Sequence, residues 1–349
     1  MVNTPPSSSS RAAKSARPIA VTGIKPTGKP HLGNYFASIQ PAIALSAQHE
    51  SYFFIADYHA LNSIKDPSVL QAETLDVVAT WLACGLDPQK VAFYLQSDIP
   101  ELFEITIILL AYTSKGLMNR AHAYKAFIQN NRTLTRDADE GVNMGLYNYP
   151  VMMAADILAF KCNIVPIGKD QVQHLEMTQD IAEAFNRNVN KSCLVYPHPF
   201  INENVKTIIG TDGRKMSKSY HNTIPIFADA DTIYKTVMKI ITTSQSIEAV
   251  KDPGTCNVFA LYKLFASPED SKALANKYRQ GGLSWGAAKK QLAELIITSL
   301  EKERDQYNHL IKAKDHLKKV LTTGQLQARR KAQQTLREMK SLIGIFHAQ

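Results

Sequence analysis

Between Ile19 and Leu95, short apolar runs alternate with helix-length amphipathic stretches, and this alternation constrains the fold more than anything else in the chain. Ile19-Ala20-Val21 ends at Gly23, Tyr52-Phe53-Phe54-Ile55-Ala56 ends at Asp57-Tyr58-His59, and Val91-Ala92-Phe93-Tyr94-Leu95 forms a third run. Short continuous apolar runs bounded by turn residues read as buried strands. Between them, Phe36, Ile39, Ile43 and Ala47 keep helical phase from Tyr35 to Ala47. A second helix is expected from about Pro67 to Cys84, with Gly85 as its stop. A βαβαβ rhythm of this kind predicts an α/β fold, a Rossmann-like doubly wound parallel sheet. The spaced GxGxxG of dinucleotide enzymes and the GxxxxGK[ST] of P-loop enzymes are both missing, which argues against those two phosphate sites.

In such sheets ligands bind beyond the carboxyl ends of the strands. The turn after the first strand, Thr22 to Asn34, is punctuated by Gly23, Gly28 and Gly33 and precedes a helix, the context in which backbone N–H groups bind phosphate. Gly33 matters by absence, since a side chain there would block a nucleotide, while His31 and Asn34 can donate to phosphate oxygens. Tyr149 to Leu158 is apolar almost throughout yet carries Asp156. That carboxylate lies on an exposed face, pairs with Lys161, or meets a ligand N–H in an apolar pocket. Ile164-Val165-Pro166-Ile167-Gly168 reads as a further strand and glycine turn, followed by Lys169, Asp170 and Gln171 at its carboxyl end. Gly213-Arg214-Lys215-Met216-Ser217-Lys218-Ser219 sets two lysines three residues apart, so that both ammonium groups can converge on one polyphosphate. Taken alone, that pattern reads first as a solvated basic turn.

Around these segments the chain divides into residues 1–17, rich in Ser, Pro, Ala, Arg and Lys and expected to be a disordered extension, a catalytic unit over 18–224, and a helical domain over 225–349. A helical insertion is expected at about 99–141, ending in a polar loop from Asn130 to Gly141, and a proline-bearing loop at Pro197 and Pro199. Leu292, Leu295, Ile296 and Leu300 keep helical phase, as do Ala332, Leu336, Met339 and Ile343, and the last helix is able to pack back on the catalytic unit. A formal charge of +9 favours an anionic partner. Lys312, Lys314, Lys318, Lys319, Arg329, Arg330 and Lys331 suit an RNA backbone or a solvated helix face alike. Cys84, Cys162, Cys193 and Cys256 lack zinc or disulfide spacing and read as buried thiols of a reducing cytosol, with no metal site. No apolar run is long enough to span a bilayer, and residues 1–17 lack a secretory h-region, so no membrane partner is expected.

The turn containing His31-Leu32-Gly33-Asn34 and the segment Lys215-Met216-Ser217-Lys218-Ser219 resemble the HIGH and KMSKS signatures of class I aminoacyl-tRNA synthetases. With Tyr149-Pro150-x-x-Met153-Ala154-Ala155-Asp156-Ile157-Leu158 and Val165-Pro166-x-Gly168-x-Asp170-Gln171-x-Gln173-His174-x-Glu176 between them, the chain resembles the bacterial tryptophanyl-tRNA synthetases over about residues 19–349. The resemblance implies L-tryptophan, ATP with Mg²⁺ and tRNA(Trp) as partners, no DNA, a homodimer, and a cytoplasmic location. It implies that Asp156 accepts the indole N–H, that Met153, Val165 and Ile167 wall the ring, with Gly23 and His59 beside it, and that Tyr149 and Gln171 hold the α-ammonium. ATP would meet Lys25, Pro26, Thr27, His31, Gly33, Asn34, Gly168, Lys169 and Asp170, with Val205 near the adenine. Lys215 and Lys218, together with Met216, Ser217 and Ser219, would close on the phosphates. Lys125, by itself a surface residue, becomes a phosphate contact in this light, so Lys215, Lys218, Lys125 and Asn34 carry the chemistry. Lys25 stands where many bacterial relatives carry glutamine, a change expected to strengthen phosphate binding or alter sensitivity to indole-type inhibitors. Val21 stands where some place an aromatic residue. A tyrosyl-tRNA synthetase and a ligase-inactive RNA-binding paralogue are the competing readings; intact lysines and Gly33 count against the second.

Overall fold

A computed structural model describes residues 17–168, 171–201 and 207–346. The expected extension over 1–17 lies outside them except for Arg17, and so do Lys169, Asp170 and Val205. Five parallel strands form one sheet in the order β3-β2-β1-β4-β5: β1 (Ile19–Ile24), β2 (Glu50–Ile55), β3 (Val91–Leu95), β4 (Ile164–Pro166) and β5 (His198–Phe200). The order runs outward from β1 in both directions, so the sheet is doubly wound, with its switch point between β1 and β4. Four of these strands follow the apolar runs of the sequence. The fifth falls where a loop was expected from Pro197 and Pro199. As an edge strand bonded only to β4, β5 tolerates a residue without an N–H.

The crossover from β1 to β2 starts earlier than expected, with α1 (Leu32–Asn34), and passes through a π-helical stretch, Tyr35–Ile39, into α2 (Gln40–Ser46). Pro41 has no N–H for the carbonyl four residues back, and the ladder widens just before it, with Gln40 N–H reaching the Tyr35 carbonyl. After α3 (Asp57–Ala60) comes α4 (Pro67–Ala83). Its capping residue Asp66 accepts from Ser68 N–H at 2.8 Å, and Gly85 follows its end at φ +97°. Between β3 and β4 lie α5 (Glu101–Ala111), α6 (Lys115–Met118), α7 (His122–Thr133) and α8 (Met144–Leu158). The first three lie within 99–141, where a helical insertion was expected. α9 (Val172–Asn188) links β4 to β5.

Beyond residue 225 the described chain is helical: α10 (Ala230–Met238), α11 (Asn257–Tyr262), α12 (Pro268–Gln280), α13 (Trp285–Ser299), α14 (Glu301–Leu310) and α15 (Lys314–Leu342). Helices α10 to α13 share a core with Leu32, Tyr35 and Met216, so this helical layer holds both the first helix and the lysine segment. α15 instead covers β3, closing an edge of the sheet. Leu317, Val320 and Leu321 pack on one face of the sheet, and Ala328, Ala332, Leu336 and Met339 join the core of the other. Arg329, one of the basic residues with an RNA reading, is turned to Glu101, with Nη2 2.9 Å from Oε1.

Gly324 marks where α15 crosses the sheet edge. A Cβ there would lie 2.0 Å from the Phe93 carbonyl oxygen, a backbone atom that cannot move aside. Gly324→Ala is therefore expected to destabilise by about 1–3 kcal/mol through overpacking. Gly286→Ala in α13, where the nearest neighbour is Ser284 Oγ at 3.9 Å, should instead gain about 1 kcal/mol of helix propensity. Urea midpoints of the two variants, compared with the unmodified chain, check both signs.

Candidate active site

Beyond the carboxyl ends of β1, β2 and β4 lies a cavity of about 280 Å³, roofed by α8. Tyr149, Met153 and Asp156 reach it together because positions i, i+4 and i+7 share one face of a helix. Val165, Ile167 and Gly168 enter from the end of β4, Gly23 and Lys25 from the turn after β1, and His59 from α3. Gln171, just before α9, completes the polar side. The structure thus gathers around one space all eight residues expected to meet tryptophan.

Asp156 is 1% exposed, so the exposed-face reading falls, and Lys161 pairs with Glu338 at 2.5 Å instead. Gln96 Nε2 donates to both Asp156 oxygens at 2.9 Å, and His59 Nε2 lies 3.0 Å from Oδ2. Burial pushes the Asp156 carboxyl above the usual carboxylate range, while His59 and Gln96 hold it down. A fully buried carboxylate facing a mostly apolar cavity is an acceptor for a ligand N–H. At the other end, Tyr149 Oη lies 2.5 Å from His174 Nε2, and His174 Nδ1 lies 3.0 Å from Gln171 Oε1. Burial raises the Tyr149 phenol, which keeps its proton for that contact. An imidazole thus ties together the two groups expected to hold the α-ammonium.

The two signature segments meet directly. Lys218 Nζ donates to the carbonyls of Thr27 and Gly28 at 2.5 Å each, and Glu73 Oε2 accepts from Gly28 N–H at 2.6 Å. Gly28, at φ +80°, takes a backbone shape that favours glycine. Gly33 N–H points to Met216 Sδ at 3.3 Å, and an added Cβ at Gly33 would lie 2.9 Å from the His31 ring. Here the missing side chain makes room for the chain's own imidazole. His31 is buried, and burial followed by the charge of Lys218 lowers its pKa to about 4, so the ring is neutral near pH 7. Asn34 Oδ1 accepts from His31 N–H at 3.2 Å, leaving its amide hydrogens for a ligand. Pro26 is buried in the turn, and Thr27 is half-buried.

Asn222, 1% exposed, organises the lysine segment. Its oxygen accepts from Ser217 N–H at 2.8 Å, and its amide donates to the Lys215 carbonyl at 3.0 Å and to Asp212 at 2.6 Å. Met216 is buried, whereas the side chains of Lys215 and Ser219 are exposed. Lys125 is exposed on α7 and does not line the cavity. Sequence reasoning missed Gln96, Asn222 and a role for His174. Gln96 had a signal: it follows the carboxyl end of β3, where polar groups face the ligand side.

Residues 13–301 match the tRNA synthetases class I (W and Y). The chain is 45% identical over 329 residues to a tryptophan–tRNA ligase of Pseudomonas aeruginosa, covering 93% of this chain and 73% of that one. It is also 45% identical over 328 residues to the one from Neisseria meningitidis, covering 93% of this chain and 97% of the relative. The tryptophanyl-tRNA synthetase of Campylobacter jejuni, solved in complex with ADP and tryptophan, superposes with a TM-score of 0.86 at 39% identity, over 94% of this chain and 100% of that one. A tyrosyl-tRNA synthetase from Aeropyrum pernix shares the fold at 19% identity and TM-score 0.61. The chain belongs to the class I tRNA synthetases of the tryptophan and tyrosine family. Within that family it falls with the tryptophan–tRNA ligases, enzymes that join the amino acid to its tRNA.

Proposed function

We propose that the cavity binds L-tryptophan with its indole N–H on Asp156, its ring between Met153, Val165 and Ile167, and its α-ammonium on Tyr149 and Gln171. The observation that carries this reading is the buried Asp156 carboxylate in an apolar cavity beside the two signature segments. ATP lies across the switch point, its phosphates toward the Gly28–Asn34 turn and the lysine segment. The tryptophan carboxylate attacks the α-phosphate in line, and the bond to the leaving pyrophosphate breaks, giving tryptophanyl-adenylate. The terminal ribose hydroxyl of tRNA(Trp) then attacks the activated carbonyl and releases AMP. No protein nucleophile takes part; the chain's residues position the reactants and stabilise charge. Lys218 and Lys215 supply positive charge where negative charge grows on the departing phosphates. Lys125, exposed on α7, is proposed as a further phosphate contact.

Among the described residues no three His, Cys, Asp or Glu side chains group as a metal cage, and a Mg²⁺ held chiefly by the ATP phosphates and water fits this donor set. Such an ion would neutralise phosphate charge during transfer. The helical segment from residue 225 receives tRNA, with exposed Lys312, Lys314, Lys318, Lys319 and Arg330 toward its backbone. A homodimer is supported by the exposed Phe103 and Ile107 on α5. No described helix is long and apolar enough to cross a membrane, and the free cysteines accord with work in the cytoplasm.

ATP–pyrophosphate exchange, run in parallel with tryptophan, tyrosine and no amino acid, tests the reading. Exchange that depends on tryptophan is expected. Exchange driven by tyrosine would refute the role of Asp156.

A further inference from the structure

We infer that Gln96 is a specificity-determining positioning residue, whose amide grips both oxygens of Asp156 and holds that carboxylate in the orientation that accepts an indole N–H. The inference rests on the proposed role of Asp156 and extends it to a residue outside the cavity lining. Gln96 is 1% exposed and sits in the 3₁₀ turn Gln96–Asp98 that ends β3, a rigid mount. Its Nε2 is 2.9 Å from Oδ1 and 2.9 Å from Oδ2 of Asp156. Its Oε1 faces the backbone N–H of His59 at 3.4 Å. A backbone N–H only donates, so the oxygen of the amide must face it and the NH₂ must face the carboxylate. The amide assignment thus follows from its surroundings.

A carboxylate offers about four acceptor positions. Gln96 bridges the two oxygens on one side and His59 takes a position on Oδ2, which fixes the carboxylate plane and leaves acceptor capacity toward the cavity. A neutral donor suits this task better than a lysine or arginine. A cation there would cancel the charge that makes Asp156 a strong acceptor, while an apolar residue would leave one side of a buried carboxylate without a donor. Ser97, the next residue, donates from its hydroxyl to Asp57, so the turn itself is anchored to the helix that carries His59.

The test is pyrophosphate exchange with L-tryptophan and with 3-benzothienyl-L-alanine, which has the ring shape of tryptophan but sulfur in place of the N–H. The two substrates are compared in the unmodified enzyme, Gln96→Met and Asp156→Ala. Gln96→Met is expected to raise KM for tryptophan about tenfold while changing KM for the sulfur analogue and for ATP less than about twofold. Turnover of the analogue reports that the variant is folded. If Gln96→Met does not fold, Gln96→Glu keeps the side-chain volume and places a second carboxyl group beside Asp156; the same fall in the tryptophan-to-analogue ratio is expected. An unchanged ratio in the Gln96 variants, with a collapsed ratio in Asp156→Ala, overturns the role of Gln96 alone. An unchanged ratio in Asp156→Ala overturns the role of Asp156, and that of Gln96 with it.

Discussion

Asp156→Ala is expected to lower kcat/KM for tryptophan by about ten- to a hundredfold, nearly all of it through KM. A hydrogen bond to a charged group contributes about 1.5–3 kcal/mol, and this one forms on a carboxylate that is itself buried, at a mostly apolar cavity. In the proposed arrangement ATP meets the signature turns and the carboxylate meets only the indole, so KM for ATP should not move. The same contact sets an acid limit on tryptophan binding. Burial raises the Asp156 carboxyl, and Asp57 adds to the rise. The accepting form is the ionised one. As pH falls through this raised pKa the carboxylate is protonated and KM for tryptophan climbs, beginning at a higher pH than for an exposed aspartate. Steady-state exchange kinetics against pH measure both effects. A KM for tryptophan that is flat toward acid, together with an Asp156→Ala variant close to the unmodified enzyme, would sink the assignment.

How much of this was legible beforehand depended on whether a signal lay along one element or across several. For the cavity, the residues themselves carried one signal, that Asp156 is costly in an apolar run without a partner; Tyr149 and Met153 were expected from the family resemblance, and that all three share one face of α8 follows from the fold. Strands β1 to β4 were readable as apolar runs. β5 was not, since two prolines mask an edge strand that needs few ladder bonds. Gln96, His174 and Asn222 act through contacts between segments far apart in the chain. Gln96 reaches Asp156 across 60 positions, and no local pattern records that. The dual packing of α15 was equally hidden: its helical phase was plain, but that it passes the sheet edge at Gly324 follows only from the fold. Reading Gly33 as room for nucleotide left out its neighbours in the structure, the His31 ring and Met216.

Lys218→Ala is expected to lower kcat for exchange by about 10²–10³-fold, the effect typical of removing one preorganised group that stabilises growing negative charge. KM for tryptophan should stay within about twofold, because interactions made only in the transition state act on kcat. Lys218 donates to two neutral carbonyls of the Thr27–Gly28 turn. Those are weak competitors for an ammonium compared with phosphate oxygens, so exchanging one set for the other favours the bound complex. Burial lowers the Lys218 pKa, and the charges of Glu73 and Asp76 oppose that fall. The working form is the protonated amine, so activity declines as pH rises through this lowered value. Glu73→Gln removes one of the two opposing carboxylates and should move the alkaline limb of the kcat/KM profile for ATP to lower pH. Lys218→Arg, which remains charged throughout this range, should lack that limb. An alkaline limb that ignores both substitutions would mean that a different group titrates there. A Lys218→Ala variant within threefold of the unmodified kcat would mean that Lys218 only fastens the two loops together.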